Sequence, residues 1–287
     1  MAAKIIDGKA VSADIREEVA ARVKDLAGEG ITPGLAAVIV GDDPASKIYV
    51  GTKHKACQDV GIYSEQVDLP ASASEERVLE TVDRLNADPK ISGIIVQLPV
   101  PDHISEFNVQ CAIDPSKDVD GLNATNVGML ARGHAVFYPA TPYGIVELLV
   151  RSGIQIQGSE VVIVGRGDLV GMPLSIMLAQ RSDRGNATVT LCHTRTNDVG
   201  AHTRNADILI AATGKARTIT KDMVKPGATI IDVGINRDPD GLVGDVDFEG
   251  VVEVAGAITP VPGGVGPMTV AMLLVNTVSA AEMQSGR

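Results

Sequence analysis

The run Val161-Val162-Ile163-Val164, followed at once by GRGDLVGMP (165–173), constrains the fold of this chain more than any other stretch. Four apolar residues without polar alternation predict a strand covered by helices on both faces, which is the environment of a parallel sheet. The strand ends in Gly165, Gly167 and Gly171, a G-x-G-x-x-x-G spacing. That is one residue longer than the common dinucleotide fingerprint, where glycine lets the backbone turn tightly and approach a pyrophosphate. Pro173 suits the first turn of the next helix, whose free N–H groups would face phosphates. Plain strand-to-helix connections also use such turns, so the loop alone leaves both readings open.

The surrounding chain favours the first of these. With 287 residues there is room for about two domains. Strand and helix patterns alternate throughout. An amphipathic helix capped by Ser12 is expected over 10–28, then a buried strand at Leu35–Val40, then a helix from about Ser46 to Val60 after the GDDPAS turn. A short strand ends over Val67–Leu69. SEERVLETVDRLNAD reads as a helix and ISGIIVQLP as a strand closing at Pro99. Beyond DPSKDVDG, a helix in TPYGIVELLVRSG leads to the glycine-ended strand, and ATVTLCH, DILIAA and ATIIDVG add further strands. The repeated strand-helix order predicts an α/β protein of two α/β domains, the second a Rossmann-like, doubly wound parallel sheet. MTVAMLLVNTVSAAEM is apolar almost all round, so it is expected to be a buried helix that packs back on the first domain.

Composition narrows the partners. The net charge of −11, the absence of Trp and the 2% aromatic content disfavour nucleic acid, which asks for basic patches and stacking rings. An acidic chain that binds an anion must gather Lys and Arg locally. No apolar stretch approaches the roughly 18 residues of a membrane span, and MAAKIIDGKAV lacks the apolar core of a secretory signal. Cys57, Cys111 and Cys192 form no C-x-x-C pair, which predicts a cytoplasmic location, no structural metal, and three thiols buried as small hydrophobes.

Four features carry chemistry. Tyr49 and Lys53 lie four apart, one turn along a single helix face. Gln97 stands at the carboxyl end of a strand, where ligands of open α/β sheets sit. KDVDG places Asp118 and Asp120 in a turn before Gly121, although Asp-Gly is ordinary turn chemistry and Asp118 serves equally as a loop cap. PVPGGVGPMT (260–269) is a stiff loop poor in side chains, suited to a linker or to backbone contact with a ligand.

Together YVGTKHKACQDVGI, VQLPVP, KDVDG, GRGDLVGMP, DVGIN and PVPGGVGPMT resemble the motif set of the bifunctional methylenetetrahydrofolate dehydrogenase/cyclohydrolase family, in order and spacing, from about Ile5 to Thr277. The resemblance implies oxidation of 5,10-methylenetetrahydrofolate by hydride transfer to NADP, then hydrolysis of the methenyl product to 10-formyltetrahydrofolate. It implies a folate-binding catalytic domain over 1–137 plus 268–287, an NADP-binding domain over 138–267, a site in the cleft between them, and a homodimer. Lys53 becomes the principal catalytic residue, Gln97 its orienting partner, Tyr49 a stacking platform for the aminobenzoate ring, and Asp120 an acceptor for the pterin. Val96, Leu98 and the backbone of Pro262, Gly263, Gly264, Val265 and Gly266 complete the substrate site. A Lys acting as base near neutrality needs a depressed pKa, supplied by burial or a nearby positive charge.

Gly165, Arg166, Gly167, Gly171, Thr194, Arg195 and Ile235 fall at cofactor positions of the family. NAD sites usually place a carboxylate at the end of the second strand, whereas here HTRT (193–196) follows ATVTLC and no carboxylate comes before Asp198. Thr194, Arg166 and Arg195 suit a 2′-phosphate, so NADP is expected. His193 reads equally as a phosphate contact or as a capping residue. Gly167 stands where the family commonly has Ser. The alternatives are a monofunctional dehydrogenase of the same fold and a nucleotide-binding scaffold without catalysis.

Overall fold

A computed structural model describes residues 3–239 and 241–286. In chain order the elements are β1 (Lys4–Ile5), α1 (Gly8–Gly28), β2 (Gly34–Val40), α2 (Pro44–Val60), β3 (Tyr63–Leu69), α3 (Glu75–Ala87) and β4 (Gly93–Val96). There follow α4 (Glu106–Ala112), α5 (Ala124–Ala131), α6 (Ala140–Arg151), β5 (Glu160–Val164), α7 (Gly171–Ala179), β6 (Thr188–Cys192), α8 (Val199–Thr203) and β7 (Ile208–Ala211). The last are β8 (Thr229–Asp232), β9 (Asn236–Asp238), β10 (Gly241–Val243), α9 (Phe248–Val251), β11 (Ala257–Ile258) and α10 (Val265–Gln284). They divide into two compact units, Met1–Ala13 with Thr141–Thr269, and Asp14–Ala140 with Val270–Arg287.

In the Asp14–Ala140 unit, β3, β2 and β4 form a parallel sheet in the order β3-β2-β4. Every residue of β2 and β4 is buried, as continuous apolar runs require when both sheet faces are covered. Helix α3 turns Val78, Val82 and Leu85 inward, and the Ser74 side chain caps it by accepting the Arg77 N–H. Asp43 caps α2 through the Ser46 N–H at 2.7 Å, with Pro44 in the first turn. The distal part of α10 belongs to this unit, in agreement with its apolar pattern. Its Asn276 donates to the carbonyls of Val119 and Tyr138 at 2.8 and 2.9 Å, and its Glu282 pairs with Arg22 at 2.6 Å. Among the described residues α10 is the one helix long and apolar enough to cross a membrane, but 67% of its apolar window is buried, as in a core helix.

The other unit holds a six-stranded parallel sheet in the order β1-β11-β8-β7-β5-β6. A small antiparallel hairpin, β9 with β10, stands apart from it. The first residues join this unit because β1 pairs with β11, Lys4 opposite Ala257. Both residues of β1 are exposed, so no apolar pattern announces the pairing. Two local expectations need correction. Ser12 does not cap α1: it lies a turn inside, buried, donating to the Lys9 carbonyl, while Asp7 accepts the N–H groups of Lys9 and Ala10. Cys57 and Cys192 are buried, but Cys111 near the end of α4 is only half-buried.

Candidate active site

Chemistry-bearing side chains converge at the carboxyl end of the small sheet. Strand β4 carries Gln97 just past its last residue, where the Gln97 N–H donates to the Val38 carbonyl at 2.9 Å. The 117–121 turn runs beside the same strand, since the Ile94 N–H donates to the Lys117 carbonyl and Ile94 bridges Asp118. Asp118 is buried and accepts from the N–H groups of Leu122 and Asn123 and from Asn126 Nδ2. It therefore anchors the turn, and Asp120 is the carboxylate left for chemistry.

Lys53 on α2 donates from Nζ to Gln97 Oε1 at 3.0 Å. The Gln97 amide is held with Oε1 toward the lysine because its Nε2 donates to the Leu98 carbonyl at 2.8 Å. Lys53 and Asp120 keep some accessible surface, yet protein atoms surround both. Burial lowers the Lys53 pKa below the ordinary lysine value, and the Asp120 charge opposes that shift. Burial raises the Asp120 pKa, with Lys53 pulling it back down. The Cys57 thiol, one turn after Lys53, is pushed up to about 12 by burial, so it stays neutral. Tyr49, one turn before Lys53, is 38% exposed, so part of the side chain is accessible to a ligand. A neutral-capable amine, a fixed amide and a carboxyl within one electrostatic neighbourhood suit proton transfer at a carbon-nitrogen centre.

The larger sheet builds a second constellation at its own carboxyl edge. At Gly165 φ is +125°, and a Cβ there would lie 1.9 Å from the Ala212 carbonyl oxygen. One on Gly171 would lie 1.9 Å from the Gly165 oxygen, whereas one on Gly167 meets nothing within 4 Å. Two of the three glycines are thus steric requirements of the turn, and the third is free for Ser or Gly. A groove of about 280 Å³ opens on the turn, lined by Gly167–Gly171, Ala212, Gly214, Val233–Ile235 and Asp245. A cradle that a Cβ would fill, opening on a helix start, fits a dinucleotide pyrophosphate. Arg166 follows Gly165, whose N–H donates to the Cys192 carbonyl at 2.9 Å, so Arg166, Thr194 and Arg195 leave adjacent strands at one edge, all exposed. His193 Nδ1 accepts the Arg195 N–H at 3.1 Å, the capping alternative for that residue. Asp198, the first carboxylate after β6, caps α8 through the Ala201 N–H.

Ile235 is 46% exposed beside the groove, with Gly266 next to it: a Cβ on Gly266 would have Ile235 Cδ1 at 3.8 Å. The 260–266 loop packs on the start of α1, where the Lys9 N–H donates to the Gly263 carbonyl at 3.1 Å and a Cβ on Gly8 would fall 1.8 Å from the Gly264 oxygen. Sequence reasoning missed Asp245, which lines the groove, and Asp232, which lines the cavity beside it, both buried. Acidic residues flanking glycine in DVGIN and VGDVD were their only signal.

Burial raises the Asp232 pKa to about 6, against three backbone hydrogen bonds that lower it, with the Asp245 charge adding to the rise. Arg217, Asp247 and Glu249 line the neighbouring cavity of about 200 Å³ with it. A carboxyl whose folded pKa exceeds its unfolded value stabilises the fold when protonated, and that contribution is lost as pH rises through about 6. Relative to Asp232→Asn, the wild type should gain up to roughly 3 kcal/mol of unfolding free energy between about pH 8 and about pH 4. Parallel urea titrations across that range, giving a constant difference, would refute this.

The tetrahydrofolate dehydrogenase/cyclohydrolase catalytic-domain family matches residues 6–120, and the corresponding NAD(P)-binding-domain family matches residues 139–285. The bifunctional protein FolD of Moorella thermoacetica is 56% identical over 282 residues, 98% of this chain and 99% of its own. Among solved structures, the bifunctional FolD methylenetetrahydrofolate dehydrogenase/cyclohydrolase of Campylobacter jejuni superposes with a TM-score of 0.95 at 45% identity, covering 99% of this chain and 100% of that one. The Trypanosoma brucei methylenetetrahydrofolate dehydrogenase-cyclohydrolase, solved with NADP cofactor and inhibitor, gives 0.94 at 38% identity with full coverage of both chains.

Proposed function

The chain belongs to the tetrahydrofolate dehydrogenase/cyclohydrolase family, and from that membership and the site geometry we infer what each group does. The protein is a bifunctional one-carbon enzyme that oxidises 5,10-methylenetetrahydrofolate with a nicotinamide acceptor and hydrolyses the 5,10-methenyl product to 10-formyltetrahydrofolate. The observation that carries the residue assignment is the hydrogen bond from Lys53 to an amide, not to a carboxylate.

A neutral partner orients the amine without the full pKa rise that a carboxylate would bring, and burial shifts Lys53 toward its unprotonated form. In the hydrolytic step, water adds to the cationic methenyl carbon and its proton passes to Lys53 Nζ. The carbon-nitrogen bond to N5 then breaks as N5 takes that proton from Lys53, the hydroxyl proton of the intermediate leaves to solvent as the C=O forms, and the formyl group remains on N10. Asp120 binds the pterin's N–H donors, and Tyr49 stacks on the aminobenzoate ring, with Val96 and Leu98 beside them. The Pro262–Gly266 backbone contributes further folate contacts.

When bound, the nicotinamide supplies the hydride acceptor of the first step. Gly165 and Gly171 admit its pyrophosphate, and Ile235 packs at the nicotinamide end of the groove. NADP is preferred because Arg166, Thr194 and Arg195 are exposed and available to a 2′-phosphate, while Asp198 is committed to a helix cap. Arg195→Glu should therefore weaken NADP about tenfold and NAD hardly at all, measured as the two KM values; equal losses would remove the phosphate assignment. A homodimer is part of the same proposal, resting on the family resemblance and readable by light scattering.

The test of the whole reading is a spectrophotometric assay with methylenetetrahydrofolate and NADP or NAD in parallel, then hydrolysis of supplied methenyltetrahydrofolate. Turnover in both steps with NADP preferred is expected. Reduction of NADP without hydrolysis would remove Lys53 from the role of proton acceptor.

A further inference from the structure

DVGIN and VGDVD contribute one exposed side chain to the groove, Ile235, yet both motifs are built around buried carboxylates. Asp245 has no accessible surface. Its Oδ2 accepts the N–H groups of Thr213 and Gly214 at 2.5 and 2.9 Å, and its Oδ1 accepts Asn236 Nδ2 at 2.9 Å. Asp232, behind it, accepts the N–H groups of Gly234, Asp245 and Val246 at 3.0, 2.8 and 3.0 Å. Its own N–H donates to Thr259 Oγ1 at 2.8 Å. Two carboxylates thus join the loop after β7, the loop after β8, and the strand end after β10. The glycines between them are dictated by the same atoms: a Cβ on Gly234 would lie 2.1 Å from Asp245 Oδ1, and one on Gly244 would lie 1.8 Å from Asp232 Oδ2.

Ala212, Gly214, Val233, Gly234 and Ile235 are the groove residues these bonds fix. Two consecutive backbone N–H groups aimed at one point form an anion-binding concavity, and here the protein's own carboxylate fills it. We propose that Asp245, seated on Asp232, is a positioning residue for the nucleotide, setting from behind the groove the separation of the 212–214 and 233–236 backbones against which the nicotinamide half of the dinucleotide binds. The inference rests on the proposed function, because it takes the groove as the nicotinamide site. Buried, fully bonded carboxylates hold backbone more rigidly than packing alone, since each oxygen is satisfied only in one arrangement.

The test compares Asp245→Asn with the wild type by NADP titration and by dehydrogenase kinetics, alongside thermal melts. An amide places an NH₂ group against donors that the carboxylate accepts, so about a tenfold rise in the KM and Kd for NADP is expected, with kcat at saturating NADP changed far less. Gly234→Ala, which keeps both acidic residues but drives a methyl group against Asp245 and displaces it, should shift NADP affinity the same way. If both variants bind NADP as the wild type does, the inference is overturned. A proportional fall in kcat and melting temperature with an unchanged KM overturns it too, because the carboxylate is then only structural. If the wild type itself fails to bind NADP, the functional reading falls with it, and the two failures are told apart by that control.

Discussion

Lys53→Met is expected to remove hydrolysis of supplied methenyltetrahydrofolate, by a factor of at least about a hundred, while NADP still binds. The size follows from losing a positioned base, which contributes about two to four orders of magnitude to rate. Methionine keeps the aliphatic length of the side chain, so packing along α2 is retained. Stability should hardly suffer, since a buried ammonium that lacks a carboxylate hydrogen-bond partner costs desolvation and a thioether does not. Gln97 keeps its bond to the Leu98 carbonyl, and the residue is only half-buried, so water can reach it. In the wild type the rate of hydrolysis should rise with pH through a lysine pKa below 10.5, because burial favours the neutral amine and the charge of Asp120 opposes it only in part. A rate and pH profile unchanged in Lys53→Met would show that another group takes the proton. Loss of NADP binding would show that the substitution acts through folding.

What the sequence made legible followed from burial. Strands β2, β4 and β7 are buried along their whole length, and continuous apolar runs mark such strands wherever helices cover both faces. The Tyr49–Lys53 spacing and the strand-end position of Gln97 were likewise geometric statements, and the 3.0 Å hydrogen bond joins two residues 44 apart in sequence. Strand β1 was illegible because its two residues are exposed and it exists only by pairing with β11. Ser12 failed as a cap because Asp7, a better acceptor one turn earlier, already satisfied the first N–H groups of α1. Asp232 and Asp245 were invisible for a different reason. An acid beside glycine in a turn-rich stretch reads as solvated surface, and only the three-dimensional closure of three segments reveals six donors aimed at two buried carboxylates.

Gly171→Ala should cost NADP binding about ten- to a hundredfold, whereas Gly167→Ser should leave it within about twofold, although the two positions share one loop. At 171 the new Cβ falls 1.9 Å from the Gly165 carbonyl oxygen, and that oxygen has nowhere to go. Gly165 is itself held at φ +125°, with its N–H bonded to Cys192 and the Ala212 carbonyl pressed against its Cα. Relief must therefore come from moving the start of α7, which reshapes the turn proposed to hold the pyrophosphate. At 167 no atom lies within 4 Å of a Cβ, so a serine enters without strain and brings a hydroxyl to the edge of the phosphate site. Titration of both variants with NADP, with hydrolysis of methenyltetrahydrofolate as the reaction that uses no nicotinamide, separates loss of the turn from loss of the protein. Equal affinities at 171 and 167 would mean that the glycine spacing is a feature of chain reversal and not of cofactor binding.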